Sequence, residues 1–280
     1  MTKQKQKILE SVKYIKQFFP SNFTPEVAII GELDYRLQNN FNILKQIAFN
    51  NIPPSFNYDY IADNRTLCLC RQKTKDIILI NGRFHYYEGI SMRDIGHWIY
   101  VLKLLGIRTI LSIEDVATLN PRYKCGELVL IYDHINLMGN NPLIGENDET
   151  LGVRFPDMSN AYDNKKYALI YSYMQEKKIK INESVYIGLI GPASETAAEA
   201  RFYREIGADV VGYSIIPENI VSVHSNVKFA AIGLIIRELI ADKMMDDTSI
   251  ELIDTNSIIK NRKTALKTLK NIINNLIEIL

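Results

Sequence analysis

DIILINGRFHYYEGISMRDIGHWIYVLKLL, residues 76–105, reads as one complete strand-turn-helix unit. The apolar run 76–80 has the length and β-branched content of a buried strand. Ser91-Met-Arg-Asp94 then has the form of a capping-box start, and Ile95, Ile99, Leu102 and Leu105 follow at intervals of three and four. That spacing gives a helix with one buried stripe. Between the two stand Arg83, His85, Tyr87 and Glu88, a polar cluster at the carboxyl end of a strand.

The same alternation recurs along the chain. Short apolar runs occur at 27–30, 66–70, 109–113, 128–131, 185–190, 210–214 and 229–236. A second capping box, Thr196-Ala-Ala-Glu199, opens a helix that ends at Gly207, and Pro217 suits the first turn of another. A last helix over about 257–279 carries Ile259, Leu266, Leu269, Ile273, Leu276 and Leu280 on one face. Strands alternating with helices predict an α/β fold: one domain over residues 1–280, with a central mixed, mostly parallel sheet flanked by helices. The stretch 132–163 is rich in Asn, Gly, Asp and Pro with little periodicity. A loop of that length is expected to cover a site or a subunit contact.

Composition narrows the function classes. Lys+Arg of 33 against Asp+Glu of 32 gives a net charge of +1, which leaves no basic field for nucleic acid. No segment has the roughly 18 apolar residues of a membrane span, and MTKQKQKILE lacks the apolar core of a secretory signal. Three cysteines, Cys68, Cys70 and Cys125, fit a reduced cytosolic protein in which Cys68 and Cys70 share one strand face. His134 has no second ligand close by, and His97 and His224 belong with helices, so neither a metal nor another cofactor is expected.

Ligands of parallel sheets collect at the carboxyl ends of strands. Arg83, His85, Tyr87 and Glu88 stand there, as do Glu195, just ahead of the Thr196 cap, Ser214 after 210–213, and Asp115 after 109–113. Each has a structural alternative. Arg83 and Glu88 could be a solvated ion pair, His85 a hydrogen-bonded core histidine, and Glu195 a favourable charge at a helix N-terminus. Polar groups supplied jointly by four strand ends favour a site.

NGRFHYYEG, LNPRYKCGELVLIYDHINLMGNNPL, RFPDMSNAYD and GPASETAAEARFYREIGADVVGYSIIPE, in that order over most of residues 76–224, resemble the trimeric, low-molecular-mass purine nucleoside phosphorylases. The resemblance implies phosphorolysis of the glycosidic bond of purine nucleosides, an oxocarbenium-like ribosyl group with an anion on one face and a departing purine on the other. It matches Arg83, His85 and Ser214 to phosphate contacts and Tyr87 to the ribose. Glu195 matches the base-recognising carboxylate, and Phe155 an aromatic that reaches a neighbouring subunit of a homotrimer.

Other positions depart from the family pattern. The glycine- and serine-rich phosphate loop is replaced by GELDYRLQ (31–38), with Gly31, Glu32 and Asp34. Asp115 falls where a backbone donor to phosphate would be. A carboxylate about 4 Å from phosphate costs roughly 4 kcal/mol at an effective dielectric of 20, about a thousandfold in affinity. Phosphate is therefore expected to bind poorly, and Asp115 is expected to pair with Arg83. On the base side, Arg237 replaces an asparagine and is expected to reach Glu195. Ser257 replaces a ribose-contacting histidine, Tyr213 a methionine and Ser194 a phenylalanine. Three readings follow: a phosphorylase with an altered pocket, a nucleosidase in which Asp115 or Glu32 activates water, and a catalytically inactive homologue with a binding or structural role.

Overall fold

A computed structural model describes residues 2–33, 39–54, 65–246 and 254–280. Asp34, in the acidic segment after the first strand, lies outside the described residues. The strands are β1 (Val27–Gly31), β2 (Ile43–Ala48), β3 (Thr66–Gln72), β4 (Lys75–Asn81), β5 (Thr109–Thr118), β6 (Leu128–Asn136), β7 (Ile181–Gly188), β8 (Val210–Gly212) and β9 (Lys228–Glu238). The α-helices are α1 (Lys3–Lys16), α2 (Met92–Leu105), α3 (Asn164–Glu176), α4 (Ala197–Glu205), α5 (Ile215–His224), α6 (Ala241–Asp246) and α7 (Thr255–Ile279).

The strands form one mixed sheet in the order β2-β3-β4-β1-β5-β8-β7-β6-β9, and β9 also pairs with β5. The second pairing closes β5, β8, β7, β6 and β9 into a barrel-like ring, with β4, β1 and their neighbours extending from β5. β1 runs parallel to β4 and β5, β5 to β9, β6 to β7 and β7 to β8. The antiparallel pairs are β2–β3, β3–β4, β5–β8 and β6–β9.

Alternation along each strand feeds two cores. Ile78 and Ile80 of β4, with Ala28 and Ile30 of β1, pack against α1 and α2. Ile77 and Leu79, with Val27 and Ile29, pack against the other layer, which holds α3 and α7. A strand buried on both faces needs an unbroken apolar run, which is why 76–80 lacks polar alternation. Cys68 and Cys70 share the second face, as their spacing implies.

Two elements differ from the expected boundaries in a way that matters for function. β5 runs five residues past the apolar run, so Asp115 lies inside a strand rather than beyond its end. β6 likewise continues through Asn136, so the irregular segment begins after it. The helix from Ser91 forms as expected: the Ser91 hydroxyl accepts from Asp94 N at 3.1 Å, and the helix stops at Gly106 with φ +114°, a left-handed cap favouring glycine.

Candidate active site

The carboxyl ends of β1, β4 and β8 and the middle of β5 meet the N-terminus of α5, and there the polar side chains gather. Arg83, on the turn after β4, is 3% exposed. Its Nη2 donates to Ile30 O at 3.2 Å and to Ser112 Oγ at 2.8 Å. Glu218, in the first turn of α5, lies 3.4 Å from Arg83 Nε and accepts from Ser112 Oγ at 2.8 Å. Glu114 of β5 lies 3.6 Å from Arg83 Nη1. Burial works against the Arg83 charge, but Glu218, Glu114 and Glu32 hold it protonated with a raised pKa. Burial pushes the Glu218 carboxyl up, and Arg83 opposes that rise.

Glu114 is fixed from the other side as well. Tyr186 Oη of β7 donates to its Oε2 at 2.9 Å, and the backbone N–H of Tyr213 donates to its Oε1 at 2.8 Å. Tyr186 can lie there because Gly212 faces it: a Cβ at Gly212 would stand 2.5 Å from the ring. Buried beside Glu114, the Tyr186 phenol has a pKa well above its ordinary value.

His85 is held at both nitrogens. Glu32 Oε1 is 3.0 Å from Nε2, and Ser214 Oγ is 2.6 Å from Nδ1. A carboxylate only accepts, so Nε2 carries a proton toward Glu32, while Ser214 Oγ faces Nδ1. Tyr87 stacks on the imidazole, centroids 4.7 Å apart, and its phenol is pushed up to about 12 by burial and Glu32. Glu88 does not pair with Arg83. It bonds to Arg65 and accepts from the His85 backbone N–H at 2.8 Å, capping the turn that presents the ring.

The hydrogen bond from His85 and its charge when protonated, with Arg83 and Arg262 nearby, hold the Glu32 carboxyl down at about 2, against an ordinary 4.5. A depressed folded value stabilises fully above pH 4.5, and that stabilisation is lost as pH falls toward 2. The Glu32 side chain is 54% exposed, so solvent screening keeps the effect within the roughly 0–1 kcal/mol of surface pairs. Glu32→Gln should flatten the acid limb of stability between about pH 5 and 2, measured by chemical denaturation across that range.

The expected Asp115–Arg83 pair is not formed. Asp115 Oδ2 accepts from Arg262 Nε of α7 at 2.6 Å. Neighbouring strand residues face opposite sides, so Glu114 meets Arg83 while Asp115 turns to the α7 layer. Arg262 also donates to the Glu32 backbone carbonyl, tying α7 to the end of β1. Burial raises the Asp115 pKa, with Arg262 opposing.

On the base side, the expected Glu195–Arg237 contact is present. Arg237 Nη2 donates to Glu195 Oε2 at 2.8 Å, and its Nη1 donates to Ser194 Oγ at 2.6 Å. Tyr213 Oη donates to Glu195 Oε1 at 2.7 Å and accepts from Arg237 at 3.0 Å. The Glu195 side chain is 2% exposed, so both its oxygens are engaged inside the protein. Tyr213 also meets Tyr87 edge to face, centroids 6.1 Å apart, which joins the base-side cluster to the His85 cluster.

Two candidate residues stand apart from these clusters. Ser257 is exposed at the start of α7, bonded to Asp254, and Phe155 is 86% exposed on the segment after β6. The other histidines are structural: His97 bonds to Ser11 at 2.9 Å, His224 to Tyr100 at 2.9 Å, and His134 to Tyr162 at 3.2 Å. Among the described residues no group of three or more His, Cys, Asp or Glu side chains is placed to hold a metal ion. Sequence reasoning missed Glu114, Glu218, Ser112, Tyr186 and Arg262. Glu114 had a signal in hindsight, since an acid inside a strand buried on both faces demands a cation.

The profile of the Phosphorylase superfamily matches residues 26–278. Purine nucleoside phosphorylase 1 of Bacillus subtilis is 34% identical over 258 residues, covering 87% of this chain and 93% of that protein. The mouse purine nucleoside phosphorylase is 38% identical over 207 residues, 72% of this chain and 70% of that one. Isoform 2 of purine nucleoside phosphorylase from Schistosoma mansoni, solved with cytosine and ribose-1-phosphate, superposes with a TM-score of 0.86. The two are 32% identical, and the match covers 97% of this chain and 95% of that one. The chain therefore belongs to the phosphorylase superfamily. Within it, its place is among the purine nucleoside phosphorylases.

Proposed function

We propose that this protein binds purine nucleosides or bases at the Glu195 end of the pocket, and that its phosphorolysis of the glycosidic bond is impaired. One observation carries the reading: groups matched to ligand roles are already bonded to other side chains. His85 spends both ring nitrogens on Glu32 and Ser214, and Glu195 spends both oxygens on Tyr213 and Arg237. Four carboxylates (Glu32, Glu114, Asp115 and Glu218) surround Arg83, Arg262 and His85, so a phosphate dianion would enter a cradle whose positive charge is already matched. A base offering N–H donors meets less opposition, because a carboxylate oxygen has two lone pairs and Arg237 uses one direction only.

The relatives support the base side of this reading. A Schistosoma purine nucleoside phosphorylase has been solved with hypoxanthine, and one from Schistosoma mansoni with inosine. Oligomerisation belongs to the same proposal. Phe155, Val153 and Ile144 are strongly exposed beside a cleft of about 460 Å³ lined by His134, Leu143, Arg154 and Met158, as suits a contact between copies in a homotrimer. A cytoplasmic setting accords with the three free thiols.

Incubation with inosine, with and without phosphate, tests the proposal. Hypoxanthine should appear far more slowly than the roughly 1–1,000 per second of ordinary enzymes, and phosphate-dependent turnover in that range would overturn it. Release of base from inosine without phosphate would identify a nucleosidase, a reading that Asp115 does not favour, since it turns to Arg262 in the α7 layer.

A further inference from the structure

The position of Glu114 goes beyond a counter-ion for Arg83. Its carboxylate lies where three donors converge: the Tyr213 backbone N–H at 2.8 Å, Tyr186 Oη at 2.9 Å, and the Arg83 guanidinium, Nη1, at 3.6 Å. They come from the β8 end, from β7 and from the turn after β4, so no single element made this arrangement. Donors from separate elements aimed at one point form an oxyanion receptor. Arg83 has capacity left there: Nε and Nη1 are buried and, among the described residues, have no hydrogen-bond partner of good geometry. The two carboxylates beside them satisfy their charge without satisfying their N–H groups.

We infer that the Glu114 carboxylate is a tethered anion seated in an oxyanion subsite, and that this residue decides whether the subsite accepts a free small oxyanion. The inference deepens the reading of the pocket given above and rests on it. It differs from the expectation drawn from the sequence, which gave that part to Asp115. Asp115 faces away, to Arg262, and cannot fill the Arg83 recess. Removing the Glu114 carboxylate leaves Arg83 with Glu218 as its one close buried carboxylate, and exposes the Tyr213 N–H and the Tyr186 hydroxyl to whatever enters.

Glu114→Ala and the near-isosteric Glu114→Gln separate space from charge. Orthophosphate, titrated by equilibrium dialysis, should bind both variants at least tenfold more tightly than the unsubstituted protein. Glu114→Ala, which also vacates the space, should gain more thermal stability in formate than Glu114→Gln, and the unsubstituted protein should gain none. If Glu114→Ala does not fold, Glu114→Gln carries the phosphate arm alone. Equal phosphate affinity in all soluble forms overturns the inference, as does tight phosphate binding by the unsubstituted protein. Hypoxanthine binding to the same samples reports the base side separately: base binding retained without any phosphate gain sinks the inference alone, whereas loss of base binding in the unsubstituted protein sinks the proposed function.

Discussion

Arg83→Met should lower the stability of the protein by about 3–5 kcal/mol, the cost of stripping the partner from buried charges. At this chain length that is a fall in melting temperature on the order of 10 °C. Arg83 is 3% exposed and lies between Glu114 and Glu218, so methionine fills the volume while the acids lose their cation. The pH dependence has a definite sign. Glu218 already has a raised pKa through burial, and without Arg83 it rises further. A folded pKa above the unfolded one means that the native state binds more protons, so stability falls as pH rises. The loss in Arg83→Met should therefore be larger at pH 8 than at pH 5. Thermal melts at the two values check this, and an unchanged melting temperature would show that Arg83 is not the counter-ion of a buried acidic pair.

Arg237→Asn should tighten hypoxanthine binding by roughly 10–100-fold, the worth of about 1.5–3 kcal/mol for a hydrogen bond to a charged group. Arg237 holds Glu195 Oε2 at 2.8 Å and Tyr213 Oη at 3.0 Å. With it gone, Glu195 keeps Tyr213 on Oε1 and turns its other oxygen to the pocket. The free variant should melt lower, because a carboxylate whose side chain is 2% exposed has lost its cation. Hypoxanthine should restore part of that loss by mass action. Calorimetric titration and melts with and without the base measure both effects. A variant that binds hypoxanthine no better than the unsubstituted protein contradicts the competition between Arg237 and the base.

The central strands were legible in the chain because burial on both faces forces apolar runs, as at 76–80 and 27–30. β2 was not, since its residues Leu44, Lys45 and Gln46 are exposed on an edge strand and leave no apolar run to read. α3 hid for a related reason. Only Ile170 and Met174 are buried in it, too few for a stripe. In the pocket, Glu195 and Arg237 could be matched by family resemblance, and their contact followed from opposite charge. The partner of Asp115 could not, because Arg262 lies 147 residues away and the choice between residues 114 and 115 depends on strand register. Glu218 sits inside an apolar helix start, IIPENIV, where it reads as a helix residue until Arg83 is placed against it.

Calorimetric titration of the unsubstituted protein with hypoxanthine, repeated in saturating phosphate, tests most directly whether this pocket is filled by the chain's own charged side chains. A saturable heat for the base that phosphate leaves unaltered is expected, with no heat from phosphate alone. Saturable phosphate binding that changes the affinity for hypoxanthine would contradict it.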